Sequence, residues 1–520
     1  MEDRTPPTNL SGNHESGDQQ RAPGNGEFVS FARDAGVVGA ALVVTSLLGF
    51  VRLPVLTKGL GADSFGTWAT ILAAVSLLTP LAILGLRDAT VRFLAAEKDR
   101  DKIRDDFLSV VFVVLAAGSI LSLIVVLSSG PLASLSDDLD NSFLFRLGSF
   151  MIITEALSLV TLAYFRTFRQ MKWFSFLRVG KATCDLGLLV CFVSLLGWAI
   201  EGVIAASLVS GSLSIVISLF IALRQVGIAL PSFSRMGSYF KYGLPLVPGA
   251  AAMWIIHISD RYMILHFMES SDVGVYHAAY GLAGLLSMLL VPVGTVLFPT
   301  ASKCYDEGDT DKTKKYFKYS FKYLMMLSIP AAFGVSVLAI PLLRNLTTEE
   351  FVSGSSVVPL VAAGLVVYNV YQICVYIIGL AKKTYLVLRL LSISAGLNIV
   401  LNFLLIPHMG ILGAAVATLV SFIVMAILTA VVGFRYLRFD LSFLFLVKSL
   451  FASAIMAFAI WFFDPQSITQ VVLSILLGGV LYFGLMILFK SFNRDEIALL
   501  KDLVTQSNRA STSDLDDSAP

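Results

Sequence analysis

Leu397-Asn398-Ile399-Val400-Leu401-Asn402-Phe403-Leu404-Leu405-Ile406-Pro407-His408-Met409-Gly410-Ile411-Leu412-Gly413-Ala414-Ala415, running on through Ala417-Thr418 to Ser421, is the stretch that decides the fold. It is the centre of a longer segment, Leu386 to Val424, in which two apolar runs are separated only by Pro407-His408-Met409-Gly410. Each run is long enough to cross about 30 Å of hydrocarbon, so the segment reads as a membrane hairpin. The same hairpin occurs earlier in the chain. One constant, ungapped shift lays Arg178 on Arg389, Leu186 on Leu397, Phe192 on Phe403 and Ile200 on Ile411. It also lays Gly202 on Gly413, Ala206 on Ala417 and Leu208-Val209-Ser210 on Leu419-Val420-Ser421. Apolar identities arise by chance, whereas an unbroken register does not, and it points to an internal duplication.

Composition agrees with a polytopic chain. Of 520 residues, 56% are apolar and 14% charged, where soluble domains carry about 25% charge. The net charge of +2 is scattered through short loops and forms no basic stripe, so no nucleic-acid partner is expected. Cys184 and Cys191 fall within one apolar run as small packing residues, and Cys304 and Cys374 are isolated. Neither a disulfide, a metal site nor a cofactor is expected. Met1 to about Glu27 is polar and rich in Pro, Gly and Ser, which predicts a disordered tail. It has no apolar core of a secretory signal, so the first membrane helix is expected to serve as an uncleaved one.

Apolar runs predict spans near 36–56, 66–86, 107–128, 143–165, 174–197 and 202–223, then 242–265, 274–298, 322–343, 356–379, 385–406 and 410–433, and finally 442–463 and 467–489. Spans holding Pro245, Pro248, Pro292 and Pro330 are candidates for bends or breaks. Basic residues gather in alternate loops, among them Arg100 to Arg104, Arg166 to Lys172, Lys312 to Lys318 and Lys382-Lys383, while intervening loops hold Asp137, Asp138, Asp140, Glu349 and Glu350. This places both termini in the cytoplasm. The duplicated hairpins are spans five and six and spans eleven and twelve. A six-span unit returns the chain to its starting side, so the two repeats insert in parallel.

The pattern LNxxLNxxLIPxxGIxGAAxAT at Leu397–Thr418 resembles the polysaccharide flippases (Wzx-like), in the larger group that includes the multidrug and toxin extrusion transporters. Two further features are similar to that family: Arg52 followed by Leu60-Gly61-Ala62-Asp63-Ser64-Phe65-Gly66, and Tyr242-Gly243-Leu244-Pro245-Leu246-Val247-Pro248 followed by Trp254 and Asp260-Arg261. Arg52 also resembles the first-helix arginine of lipid II flippases, although Leu53 stands where an aspartate often follows. The resemblance covers most of the chain between Asp34 and Arg438.

Charges inside spans cost about 2.5–3.5 kcal/mol at a helix centre and therefore mark candidate functional positions. Arg52 either faces a cavity or snorkels near the outer end of span one. At the inner end of span two, Arg92 reads as an anchor and Arg87 as the better cavity candidate; they lie about 140° apart on a helix. Arg178, Lys181 and Asp185 fall on one stripe of span five. Either Lys181 and Asp185 pair with each other, or the cations line a cavity with Asp185 as a cation- or proton-responsive group. Glu155, on span four, is the other acid considered for coupling. Asp260-Arg261 either faces a cavity or neutralises itself at the outer interface. His257, His266, His277 and His408 are solitary and read as packing residues. No HExxH, GxSxG or P-loop is present, and the external loops reach only about a dozen residues, whereas polytopic glycan polymerases generally resemble chains with a large external loop.

The expectation is an all-α integral membrane protein of about fourteen helices, with two six-helix bundles in parallel pseudo-twofold repeat and two additional C-terminal helices. Its boundaries are a cytoplasmic tail at 1–33, bundles at 34–225 and 236–435, an appended pair at 440–490 and a cytoplasmic tail at 491–520. The resemblance implies a non-enzymatic flippase that moves a polyprenyl-pyrophosphate-linked oligosaccharide across the cell membrane by alternating access. Expected partners are that cargo, membrane lipids and other glycan-assembly proteins, with the chain as a monomer. Arg52, Arg87, Arg178, Lys181, Asp260 and Arg261 are the cavity candidates, and Asp185 and Glu155 the ion-coupling candidates. A drug or cation antiporter is the alternative; a lipid II flippase and a glycan polymerase are lesser ones.

Overall fold

The computed structural model describes residues 25–130 and 142–492, and the regular structure among them is entirely helical. Asp137, Asp138 and Asp140, the start of the N-terminal tail and most of the C-terminal tail lie outside the described residues. Helix α1 spans Asn25–Ile83 and begins within the segment expected as tail. It contains the first two predicted spans, joined through Gly61 (φ 73°, ψ 175°) rather than through a loop of several residues. That left-handed φ is open to glycine and strained for other residues. The first bundle continues with α2 (Leu86–Leu94), α3 (Arg100–Leu127), α4 (Ser142–Thr167), α5 (Met171–Leu189, extended by a π turn Val190–Leu195) and α6 (Ile200–Val226).

The second bundle opens with a broken span: α7 (Met236–Gly243), a 3-10 turn at Leu244–Leu246, α8 (Val247–Ile258) and α9 (Asp260–Phe267), bent by 46° at Ser259. Pro245 occupies the 3-10 turn and Pro248 the first turn of α8, where the missing N–H costs no helical bond. Next come α10 (Ser270–Gly284), a 3-10 turn at Leu285–Leu289, α11 (Leu290–Asp306), α12 (Thr310–Val337), α13 (Ala339–Leu346), α14 (Val357–Leu380), α15 (Thr384–Met409) and α16 (Ile411–Gly433). The appended helices are α17 (Phe443–Phe463) and α18 (Ile468–Leu488). Pro330 and Pro407 both lie inside unbroken helices. The hairpin at the heart of the sequence therefore turns at Gly410 alone (φ 57°), not across the four residues from Pro407.

Among the described residues, ten helices are long and apolar enough to cross a membrane by themselves, and the bent pair at Ser259 provides an eleventh. The other three predicted spans are the second limb of α1, the charged helix α5 and the interrupted α10–α11. Packing repeats between the bundles. Helix α3 lies on α4, α4 on α6, α5 on α6 and α1 on α5; correspondingly, α12 lies on α14, α14 on α16, α15 on α16 and α8 on α15. This is the parallel repeat expected from the duplicated hairpins.

Lipid offers little hydrophobic drive between helices, so close backbone approach has to do more of the holding. A methyl group built on Gly413 would lie 2.5 Å from the Leu405 carbonyl oxygen, and one on its repeat mate Gly202 would lie 2.8 Å from Trp198 Cβ. The two hairpins are tight for the same reason. Helices α17 and α18 join through Ser449 and Tyr482, whose hydroxyls are 2.8 Å apart, and pack on α12, where Phe445 covers Lys322.

Candidate functional site

A cavity of about 320 Å³ lies at the seam between the bundles. The first limb of α1 supplies Ser46, Gly49, Phe50, Arg52, Leu53 and Leu56; the second limb supplies Phe65, Trp68 and Leu72. From the second bundle come His277, Gly281 and Gly284 on α10, and Leu285, Ser287 and Met288 on the 3-10 turn. Lined by apolar walls with one guanidinium and one imidazole, it is at the small end of ligand pockets.

Arg52 is the charged group of the lining. Its Nη1 lies 2.9 Å from Asp185 Oδ2, its Nη2 donates to Ser207 Oγ at 3.3 Å, and the guanidinium stands 5.7 Å from the Trp68 ring centroid. Its buried Nε has no partner among the described residues. Asp185 is itself held by the hydroxyls of Ser207 (3.2 Å) and Ser210 (3.3 Å). The arginine is thereby fixed by its terminal nitrogens on one side, with a donor left over. Arg52 neither snorkels nor stands alone: its counter-ion comes from α5.

Span five does not hold the internal pair that its spacing allowed. Lys181 does not pair with Asp185; its Nζ is 2.8 Å from Glu155 Oε1 on α4, and Glu155 is partly exposed. Spacing along α5 placed the three charges on one stripe but left unread that α1 and α4 each bring an opposite charge to it. Arg178, on the same stripe, is exposed and makes no hydrogen bond or ion pair among the described residues.

Asp260 and Arg261 are buried behind the cavity wall, not at an interface. Arg261 Nη1 is 2.8 Å from Asp260 Oδ1 and also donates to the His257 carbonyl at 2.8 Å. Tyr276 donates its hydroxyl to Asp260, and the Tyr280 ring lies 4.9 Å from the guanidinium. Arg261 Nε donates to His277 Nδ1 at 3.3 Å, which leaves the His277 proton on Nε2. The pair is self-neutralised and reaches the cavity only through His277. The sequence reading had taken His277 for packing, since a lone histidine carries no spacing signal. Phe65, 5.4 Å from His277, and Trp68 were likewise missed as lining residues, although Phe65 lies in the quoted LGxxxFG segment. Arg87 lies away from this lining and pairs with its neighbour Asp88 at 3.4 Å, each side chain 43% exposed.

Glycines bring backbone into contact with backbone at both ends of the seam. Methyl groups built on Gly66 and Gly274 would overlap the carbonyl oxygens of Ser270 and Ala62, so the second limb of α1 and α10 cross there in backbone contact. The Thr67 and Ser270 hydroxyls are 3.1 Å apart, Ser270 donates to the Asp63 carbonyl at 3.2 Å, and the Ala62 N–H donates to Glu350 at 2.9 Å. At the opposite end Gly85 meets Gly243, while Trp254 Nε1 bridges to the Ala73 carbonyl and Ser76 hydroxyl, each at 3.0 Å.

Two duplicated helical bundles, an appended pair and a mostly apolar cavity with one guanidinium on the seam define a polytopic membrane protein of the two-bundle class. The chain belongs to the family described as "Polysaccharide biosynthesis protein", whose model matches residues 31–305; the MatE model matches residues 245–404. Relatives include the probable low-salt glycan biosynthesis flippase Agl15 of Haloferax volcanii, 27% identical over 53% of this chain and 60% of that one. The succinoglycan biosynthesis transport protein ExoT of Rhizobium meliloti is 25% identical over 61% of this chain and 62% of that one. The chain thus spans about three fifths of the length of these curated relatives. A structure of the lipid II flippase MurJ in an inward closed conformation shares the fold, with a TM-score of 0.72, 18% identity and coverage of 87% of this chain and 98% of that one.

Proposed function

We propose that this protein is a flippase of the cell membrane that moves a polyprenyl-pyrophosphate-linked oligosaccharide from the cytoplasmic to the outer leaflet by alternating access, working as a monomer with both termini in the cytoplasm. The observation that carries the reading is Arg52: a seam-lining guanidinium, anchored on Asp185, with a buried Nε that lacks an acceptor among the described residues. A pyrophosphate crossing a low-dielectric slab needs such donors, and its oxygens accept guanidinium bonds well. The names of the relatives and the family support the same cargo class.

In this scheme the headgroup passes along the seam between bundles 34–225 and 236–435 while the lipid tail stays in the bilayer. Arg52, Arg178 and Lys181 contact it. Asp185 and Glu155 are the counter-ions its phosphates displace, and therefore the groups through which an ion could couple. Arg87, paired and half-exposed, has a lesser part at the rim. Asp260 and Arg261 act through His277. The positive-inside distribution of loop charge places the Gly66–Gly274 crossing at the external end, so this conformation is closed to the outside.

A multidrug-extrusion antiporter is the second reading, favoured by the MatE match. Cationic cargo would call for carboxylates facing the cavity, whereas Asp185 here is turned to Arg52. The test is complementation of a strain lacking its own polysaccharide flippase, with insertion checked by membrane fractionation. Arg52→Gln is expected to insert normally and abolish export, and Arg52→Lys to restore it in part. Export by Arg52→Gln at the parental rate would refute the reading.

A further inference from the structure

Arg178 differs from the other membrane cations of the seam, which are all matched: Arg52 by Asp185, Lys181 by Glu155 and Arg261 by Asp260. It is exposed, and no acceptor contacts it among the described residues. Exposure on a membrane helix usually means lipid, but here the helix geometry says otherwise. Each residue turns by about 100°, which puts Asp185 and Leu189 within about 20° of Arg178, and both are buried. The lipid-exposed side chains of α5, Trp173, Phe176 and Val190, lie on the far side, roughly 120–160° away. Ser175 and Asp185, which bracket Arg178, both touch α1, through the Val37 carbonyl and Arg52 respectively. The exposed guanidinium therefore opens into the cleft beside α1, two helical turns from the Arg52 level and towards the start of α5.

Its repeat mate supplies a contrast within the same molecule. Arg389 occupies the matching position on α15 and is also exposed, but it shares its arc with Ile393, Val400, Phe403 and Leu404, all exposed and apolar, and its guanidinium lies 5.2 Å from the Tyr385 ring. That is the setting of a side chain snorkelling from a lipid face. The duplication has kept the arginine in both halves while only the first half turns it inward.

We propose that Arg178 is the docking point for the anionic headgroup of the cargo, a lipid-linked diphosphate, before it reaches Lys181 and Arg52. This rests on the flippase reading above. A docking cation has to be free of a carboxylate, because a headgroup arriving from water would otherwise have to break a salt bridge before gaining any contact. The inner cations can be pre-paired: by then the headgroup is held, and exchange of one anion for another is nearly balanced. The order of charges along α5, free and then paired, is what such a hand-over requires.

The experiment uses the full chain in nanodiscs of phosphatidylcholine, with farnesyl diphosphate as the probe and farnesyl monophosphate and phosphatidylglycerol as competitors. Arg178→Gln is expected to weaken diphosphate binding about tenfold or more, the range lost with a charge-assisted contact. Arg178→Lys should recover part of the loss, and Arg389→Gln should match the parent. In export assays, Arg178→Gln should raise the substrate concentration needed for half-maximal rate and spare the maximal rate, whereas Arg52→Gln should lower the maximal rate. Diphosphate binding by Arg178→Gln within twofold of the parent would overturn the docking role alone. Equal competition by phosphatidylglycerol would overturn the diphosphate assignment in favour of a lipid-headgroup site. A parent chain that binds no lipid diphosphate would overturn the flippase reading together with the docking role.

Discussion

With the termini in the cytoplasm as proposed, replacing Gly66 with alanine should unlock the external end of the seam. The added methyl group would overlap the Ser270 carbonyl oxygen, and the Gly274 amide lies 3.0 Å from the same point. Both obstacles are backbone, so no side chain can rotate away, and the second limb of α1 must part from α10 by more than about an ångström. That movement stretches the Thr67–Ser270 contact and the Ser270–Asp63 bond past useful length. Overpacking of this kind costs about 1–3 kcal/mol, and two hydrogen bonds add about 1 kcal/mol each. With a reporter cysteine in place of Thr67 only the Ser270–Asp63 bond is left to lose, so the total is about 2–4 kcal/mol and lowers the closed-to-open ratio by roughly one and a half to three orders of magnitude. The assay is labelling of a cysteine at Thr67 by an impermeant maleimide added from outside, with Cys184, Cys191, Cys304 and Cys374 replaced by alanine. Thr67 is 5% exposed in the closed state, so it should label slowly in that background and at least tenfold faster once Gly66→Ala is added. Gly187→Ala is the comparison, since nothing stands within 4 Å of its added methyl group. Equal labelling of the Gly66→Ala and Gly187→Ala proteins, both correctly inserted, would refute the reasoning.

Asp185→Asn should destabilise the protein, because it leaves a guanidinium without its counter-ion. We expect about 1–3 kcal/mol, less than a fully buried pair because Arg52 keeps 27% side-chain exposure, and the double variant should recover stability in a thermal-denaturation cycle without recovering export. Cysteines introduced at Lys314 and Asp464 should label from opposite faces of the membrane; labelling from one face would end the fourteen-span topology. Outside the spans, the Lys318 ammonium 2.7 Å away and then the Ser442 N–H hold the Asp440 carboxyl below the usual carboxylate range. A depressed pKa stabilises above the ordinary carboxylate pKa and is lost as pH falls through the folded value. With Asp440 63% exposed, solvent screening keeps the contribution under about 1 kcal/mol. Asp440→Asn should thus lower the melting temperature slightly at pH 7 and leave it unchanged near pH 2.

Segments with a strong local cause were legible. The Pro-to-Gly hairpin, its earlier copy and the parallel order of the repeats followed from hydropathy and an unbroken register, and the helices pack as that order requires. The glycine motifs were quoted before their reason was visible. Gly61 makes the break in α1, Gly66 allows the crossing with α10, and Gly413 and Gly202 let the paired hairpins close. Span edges were less legible because proline does not always break a helix. Pro407 continues α15 for two more residues, whereas the 46° bend in the seventh span falls at Ser259, about three turns beyond Pro248. Charge pairing was least legible. Spacing along α5 identifies which charges share a stripe, but the partners of Lys181 and Asp185 lie 26 residues away on α4 and much further back on α1. Only the tertiary packing brings them together.

That pairing breaks the symmetry of an otherwise symmetric molecule. The shift that superposes the hairpins carries Ser207 and Ser210 onto Thr418 and Ser421, so both bundles keep hydroxyls at matching places on their sixth spans. In the first bundle these surround Asp185, which anchors Arg52. In the second, Asp185 is matched by Gly396, and the buried polar groups nearby on α15 are neutral: Asn402 donates to the Asn398 side chain at 3.0 Å. The charged pair of the second bundle, Asp260–Arg261, cancels within itself. Two related bundles thus present unequal faces to the seam: one has cations held by neighbouring helices, and the other has an imidazole and small residues. A parallel repeat constrains helix order and packing but does not require two equivalent sites, and in this chain the interior cations available to the seam belong to the first repeat.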